Sequence, residues 1–168
     1  MTPAQLLTDA FERIEQTGRA AVADLDEDQL AHRPTPDANP IAWLLWHLAR
    51  VQDDHVADVA DLEQVWTAQG FADRFGLPFE TGAIGYGQSS EEVEQVRVSA
   101  ELLADYLSAV HAQTVGFLET VGEDDLDRVV DTNWDPPVTL AVRLVSMLSD
   151  DLQHAGQASF VLGVARRS

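Results

Sequence analysis

At 168 residues the chain is long enough to bury a core of its own, and 45% hydrophobic against 23% charged residues marks it as globular rather than disordered. A formal charge of -19 sets it against nucleic acid and anionic membrane surfaces, both of which repel it. With no cysteine there is neither a disulfide nor a thiolate ligand, so any metal must be held by His, Asp or Glu.

No apolar run approaches the ~20 residues that span a bilayer, and the start "MTPAQLLTDAFERIEQ" lacks a basic segment and a continuous apolar stretch. A cytoplasmic protein with one domain over residues 1–168 is expected. Every basic residue is arginine, a bias that with abundant Ala and Val fits a GC-rich bacterial genome.

Four segments carry helix period and helix punctuation. Thr2-Pro3-Ala4-Gln5 forms a capping-box pattern with proline at the first helical position. Leu6, Leu7, Ala10, Phe11, Ile14 and Ala21 then make an apolar stripe. A second helix is expected from Asn39-Pro40 to about Leu62, and a third from Ser89-Ser90-Glu91-Glu92 to about Val121. Leu102, Leu103, Tyr106, Leu107, Val110, Val115 and Leu118 give the third its buried face. The fourth follows Asp135-Pro136-Pro137, with Thr139 as its cap, and ends near Gly163. Strand signals are poor, since no stretch alternates for long. Between the second and third helices, Trp66 to Gln88 is rich in glycine and aromatics and reads as a long crossover with room for one short helix. The expected fold is all-α, a four-helix bundle with long crossover connections.

Two stretches place ionisable groups where a core would serve. "IAWLLWHLARVQDDH" sets His47 in the apolar run of the second helix, and "SDDLQHAGQ" sets Asp150, Asp151 and His154 on the fourth. Asp150 and His154 are four residues apart, so they project from one helix face about one turn apart and can reach one ion. With His47 they offer two imidazoles and a carboxylate, a set suited to a divalent first-row metal with positions left for water or substrate. The ordinary alternative is a hydrogen-bonded core histidine and a surface Asp-His pair. Periodicity leaves the carboxylate open, because against Leu140, Leu144, Met147, Ala155 and Ala158 as the inward stripe Asp151 is better centred than Asp150. His55 lies about 12 Å beyond His47 along a helix and reads as a surface partner of Asp54 or Asp58, or as a pocket residue. His32 and His111 read as loop and surface residues. Trp43, Trp46 and Trp134 read as core, with Trp134 the first candidate for a pocket wall. Arg50 suits an anionic substrate or a surface carboxylate, and Gly156 suits close helix packing.

"WLLWHLARVQDDH", "DDLQHAGQ" and the order of the helices resemble the DinB/YfiT-like superfamily over nearly the whole chain, most closely the actinobacterial members grouped with mycothiol-dependent transferases and isomerases. In that superfamily a histidine near the start of helix two joins two ligands four residues apart on helix four, just before a Gly-Gln pair. The resemblance implies His47, Asp150 and His154 as metal ligands, with Gly156-Gln157 following. Relatives carry histidine or glutamate at the position of Asp150, so the shorter aspartate departs from both, and Asp151 stays the fallback.

The expected function is that of a divalent-metal-dependent enzyme, with zinc ahead of nickel, manganese or iron. It joins a small thiol such as mycothiol to a small electrophile, or isomerises one. No general base is identifiable. The two-histidine, one-carboxylate set also suits non-haem iron. The reading from another class is a non-catalytic, metal-binding, stress-associated bundle. A homodimer is expected from the resemblance.

Overall fold

The computed structural model describes residues 1–167. In chain order it contains α1 (Pro3–Val22), α2 (Glu27–Leu30), α3 (Ile41–Ala60), α4 (Val65–Ala68), α5 (Phe71–Phe75), α6 (Ser90–Val93) and α7 (Ala100–Leu118). A 3-10 turn (Glu123–Asp127), strands β1 (Val129–Asp131) and β2 (Val138–Thr139), and α8 (Leu140–Ala165) complete it. The four long helices α1, α3, α7 and α8 form the bundle. α3 packs between α7 and α8, and α1 sits across from it against the same two helices. No helix among the described residues is long and apolar enough to cross a membrane.

The helix starts follow the local chemistry. Thr2 and Gln5 close a reciprocal capping box on α1, and Thr139 accepts from the Val142 amide at the head of α8. In α1, Phe11, Ile14 and Ala21 are buried as the stripe requires, whereas Leu6 stays exposed. α3 begins at Ile41 with Pro40 as its uncapped flanking residue, one position later than Asn39-Pro40 suggests.

Two features depart from the expected order. The third helix is split: Ser89 caps only the single turn of α6, and α7 starts anew with Ser99 accepting from the Leu102 amide. Between them, buried Val96 and Val98 flank exposed Arg97, the alternation of an extended segment. A small antiparallel ladder also forms, pairing Val129 with Thr139 and Asp131 with Val138. It is too short to leave a periodic trace, and an Arg143–Asp131 ion pair at 2.9 Å ties it to α8.

The crossover governs burial of α3. Every residue from Ile41 to Asp53 is buried, so this half of the helix is covered on all sides. α7 and α8 cover two sides, and the segment 83–88 covers a third. Trp43 Nε1 donates to Gln88 Oε1 at 2.7 Å, His47 Nδ1 meets the Ile84 carbonyl, and Arg50 Nε donates to the Ala83 carbonyl at 3.1 Å. Positions 43, 47 and 50 share one helix face. Their partners run in reverse order, so the segment lies antiparallel along that face.

Candidate metal centre

α3 and α8 bring His47, Asp150 and His154 together although about a hundred residues separate them in sequence. One ligand atom from each lies within 4.8 Å of the others. His47 Nε2 is 3.9 Å from Asp150 Oδ2, and His154 Nε2 is 3.6 Å from Asp150 Oδ1. Donors at zinc distances on tetrahedral directions sit about 3.4 Å apart, so modest side-chain adjustment brings all three onto one ion.

The second nitrogen of each imidazole is engaged elsewhere. His47 Nδ1 lies 2.5 Å from the Ile84 carbonyl oxygen, which accepts its proton, and His154 Nδ1 pairs with Gln157 Oε1 at 2.9 Å. Both assignments leave Nε2 with its lone pair toward Asp150, the arrangement by which outer partners orient ligating histidines. Trp43 stacks on His47 at 4.6 Å and 14° and meets His154 edge-on at 6.2 Å, restraining both rings. Asp150 Oδ2 is buried without a hydrogen-bond partner. A buried acceptor facing two imidazole lone pairs is a set that a cation completes, so these residues fit a divalent ion.

The electrostatics agree. Burial is the largest influence on His47 and holds its pKa below the ordinary histidine value, against the Ile84 hydrogen bond. His154 is also pushed down by burial, but its hydrogen bonds to Asp150 and Gln157 together outweigh it and raise its pKa. The hydrogen bond from His154 keeps Asp150 below the usual carboxylate range. Without an ion, a proton on His154 shared toward Asp150 partly substitutes for one.

Asp150 therefore stands in the cluster, and Asp151 does not. Asp151 is fully buried, with neither oxygen partnered, and burial followed by the Asp150 charge raises its pKa well above the carboxylate range. The inward periodicity that favours Asp151 identifies the core face of α8, while the cluster occupies the adjoining face toward α3.

Other residues depart from expectation. Trp134 is 67% exposed and distant in role, while Trp43 supplies the wall. Arg50 pairs with no surface carboxylate. It is fully buried, donating also to Gln64 Oε1 at 2.9 Å and to the Tyr106 hydroxyl at 3.3 Å. That hydroxyl donates to Asp53 Oδ2, whose carboxylate also accepts the Val65 and Trp66 amides, each at 2.8 Å. Gly156 serves no packing contact, since an added Cβ meets nothing within 4 Å. Gly85 is the glycine the site needs: its φ is +97°, and a Cβ there lies 2.7 Å from His47 Nδ1. Sequence reasoning missed Gly85 and Gln157 as supports. Gln157, three residues past His154, carried a readable helical spacing; Gly85 carried none.

Fold and cluster together define an all-α bundle with a two-histidine, one-carboxylate group between two of its helices. The mycothiol-S-transferase family model matches residues 5–162, and the chain belongs to that family. No curated protein matches. A crystal structure described as the conserved protein of a locus from Enterococcus faecalis is similar over 100% of this chain and 99% of that one, with 30% identity and a TM-score of 0.93.

Proposed function

We propose that this protein is a divalent-metal-dependent S-transferase that joins mycothiol or a related small thiol to a small electrophile. The observation that carries the reading is the convergence of two Nε2 lone pairs and a buried, unpartnered Asp150 oxygen on one point, within a chain of the mycothiol-S-transferase family. His47, Asp150 and His154 hold the ion in this reading, with zinc ahead of nickel, manganese or iron. The bound ion supplies Lewis acidity that favours the thiolate, the nucleophilic form of the thiol. The chain's own part is to orient both imidazoles, through Ile84, Gln157 and Trp43, while burial holds the His47 ring toward its neutral form. An isomerase working through the same thiol uses the same groups.

Elemental analysis of protein purified without a histidine tag tests the metal, and a conjugation assay with mycothiol tests the activity. Near-stoichiometric metal that disappears in His154→Ala, with conjugation lost in parallel, is the expected result. Metal content unchanged by that substitution counts against the site, and metal without conjugation or isomerisation turns the protein into a binder.

We also propose a two-fold homodimer. Its support is a stripe on the outer face of α8, where Val142, Val145, Leu152 and Phe160 are each at least half exposed. Light scattering that reports a monomer across a broad concentration range overturns it. A cytoplasmic location completes the proposal.

A further inference from the structure

Between α3, α8 and the crossover lies a cavity of about 230 Å³ that begins at the cluster and ends at His55. His47 and Asp150 form one end, and Val51, Ile84 and Met147 line its middle. At the ~30 Å³ that each water occupies in the liquid, the space equals roughly eight waters, enough for a single-ring organic molecule. Its lining is polar at both ends and otherwise aliphatic apart from Ser146.

His55 is held in place. Its Nδ1 lies 3.4 Å from Asp54 Oδ2, and Asp54 Oδ1 accepts from Gln64 Nε2 at 2.8 Å. Gln64 in turn accepts from the fully buried Arg50. This chain anchors the imidazole to the protein interior and leaves Nε2 as its free nitrogen. The hydrogen bond from His55 keeps Asp54 below the usual carboxylate range, so an ionised carboxylate faces the ring. A carboxylate lying beside an imidazole in this way is an arrangement used by general acid–base histidines. His55 stands eight residues, about 12 Å of helix, from His47, too far to share an ion with it, yet both side chains line the same cavity. Asp150 faces the same space from α8, and Tyr86 faces it from the crossover.

We propose that this cavity seats the electrophile, and that His55 is a catalytic residue that protonates the oxygen or nitrogen anion released when sulfur attacks. The favoured substrates are small, largely apolar electrophiles whose attacked bond frees a basic atom, such as an epoxide. With an epoxide the balance is complete. The thiol loses its proton, a sulfur–carbon bond forms and a carbon–oxygen bond breaks. The alkoxide takes a proton from His55 Nε2, and the proton released by the thiol restores His55. This inference rests on the transferase reading above.

Two electrophiles of nearly equal size separate the roles: styrene oxide, which yields an alkoxide, and benzyl chloride, which releases chloride and needs no proton. With mycothiol as the thiol, His55→Gln is expected to lower kcat/KM for styrene oxide by about 100-fold or more, and for benzyl chloride by less than about threefold. The benzyl chloride rate serves as the internal control for folding and metal content. Asp54→Asn is expected to show the same selectivity with a smaller loss. Equal losses on both electrophiles, or no loss on either, overturn the role of His55 while leaving the transferase reading intact. A selective loss in Tyr86→Phe but not in His55→Gln also overturns it. No conjugation of either electrophile by the parent protein overturns the transferase reading and this one with it. A readout independent of activity is the His55 ring signal in nuclear magnetic resonance spectra of metal-free protein titrated with 1-phenyl-1,2-ethanediol, the unreactive diol. That signal is expected to shift in the parent; an unmoved signal overturns the cavity assignment.

Discussion

Two polar groups share α3, three residues apart, and they are built on opposite rules. Around Arg50, donors meet acceptors: the guanidinium, the Tyr106 hydroxyl and two backbone amides satisfy the Asp53 carboxylate and the Ala83 carbonyl. Around His47, the Asp150 carboxylate and two imidazole Nε2 atoms face one another, with each Nδ1 engaged by Ile84 or Gln157 and, without an ion, only a proton on His154 shared toward Asp150 between them. A buried network in which donors meet acceptors stabilises and orients, even with Arg50 Nη2 left unpartnered, whereas a set of facing lone pairs is stable only once a cation or proton enters it. The first reads as scaffold and the second as site. The difference lies in the sign of what is missing and also in burial, since Arg50 and Asp53 are fully buried while the Asp150 side chain is 39% exposed.

Removing a partner from the Arg50–Asp53 network has the largest expected effect. Asp53→Ala leaves the Arg50 charge buried and frees two backbone amides, so unfolding stability should fall by about 3–5 kcal/mol in urea titration. A loss under ~1 kcal/mol erases the distinction.

The open cluster should respond to metal instead. At a hundredfold excess of free zinc over its dissociation constant, added zinc should stabilise the metal-free protein by about 2.7 kcal/mol at pH 7.5, and His154→Ala should abolish that gain. The sign with pH follows from the protons. His154 has a raised pKa in the folded protein, so its own contribution is complete below the unfolded value of about 6.5 and is lost as pH rises through the folded value. Zinc needs the neutral ring, so its contribution grows through that same window and nearly vanishes by pH ~5. A zinc-induced melting shift that is equal at both pH values breaks the comparison.

Gly85 joins the two regions, because the crossover it belongs to is gripped by both His47 and Arg50. Gly85→Ala puts a Cβ against His47 Nδ1 at a positive φ, and should cost about 1–3 kcal/mol in stability. Isothermal titration should show zinc affinity lowered by ~10- to 100-fold. Unchanged affinity separates the loop from the cluster. The smallest effect is expected at Gly156, which is exposed in mid-helix: Gly156→Ala should raise stability by about 0.5–1 kcal/mol without touching zinc binding.

The sequence by itself determined the helix starts at Thr2, Ser89 and Thr139, the all-α class, and the spacing that sets Asp150 and His154 one turn apart. These are local matters, settled by caps, by proline and by a 3.6-residue period within a few residues of each other. It also held the signal for splitting the third helix, in Val96, Val98 and the second cap at Ser99, though a run of strong helix formers hides it. Only the tertiary structure decided between Asp150 and Asp151. That choice depends on where α3 sits around α8, and a periodicity that marks the core face says nothing of a neighbouring face. The same holds for the exchange of Trp134 for Trp43 as the wall, for the burial of Arg50, and for the demand on Gly85. For Trp43, Arg50 and Gly85 the deciding feature is the path of the crossover across α3, fixed by hydrogen bonds between residues about forty positions apart, whose pairing no local pattern encodes.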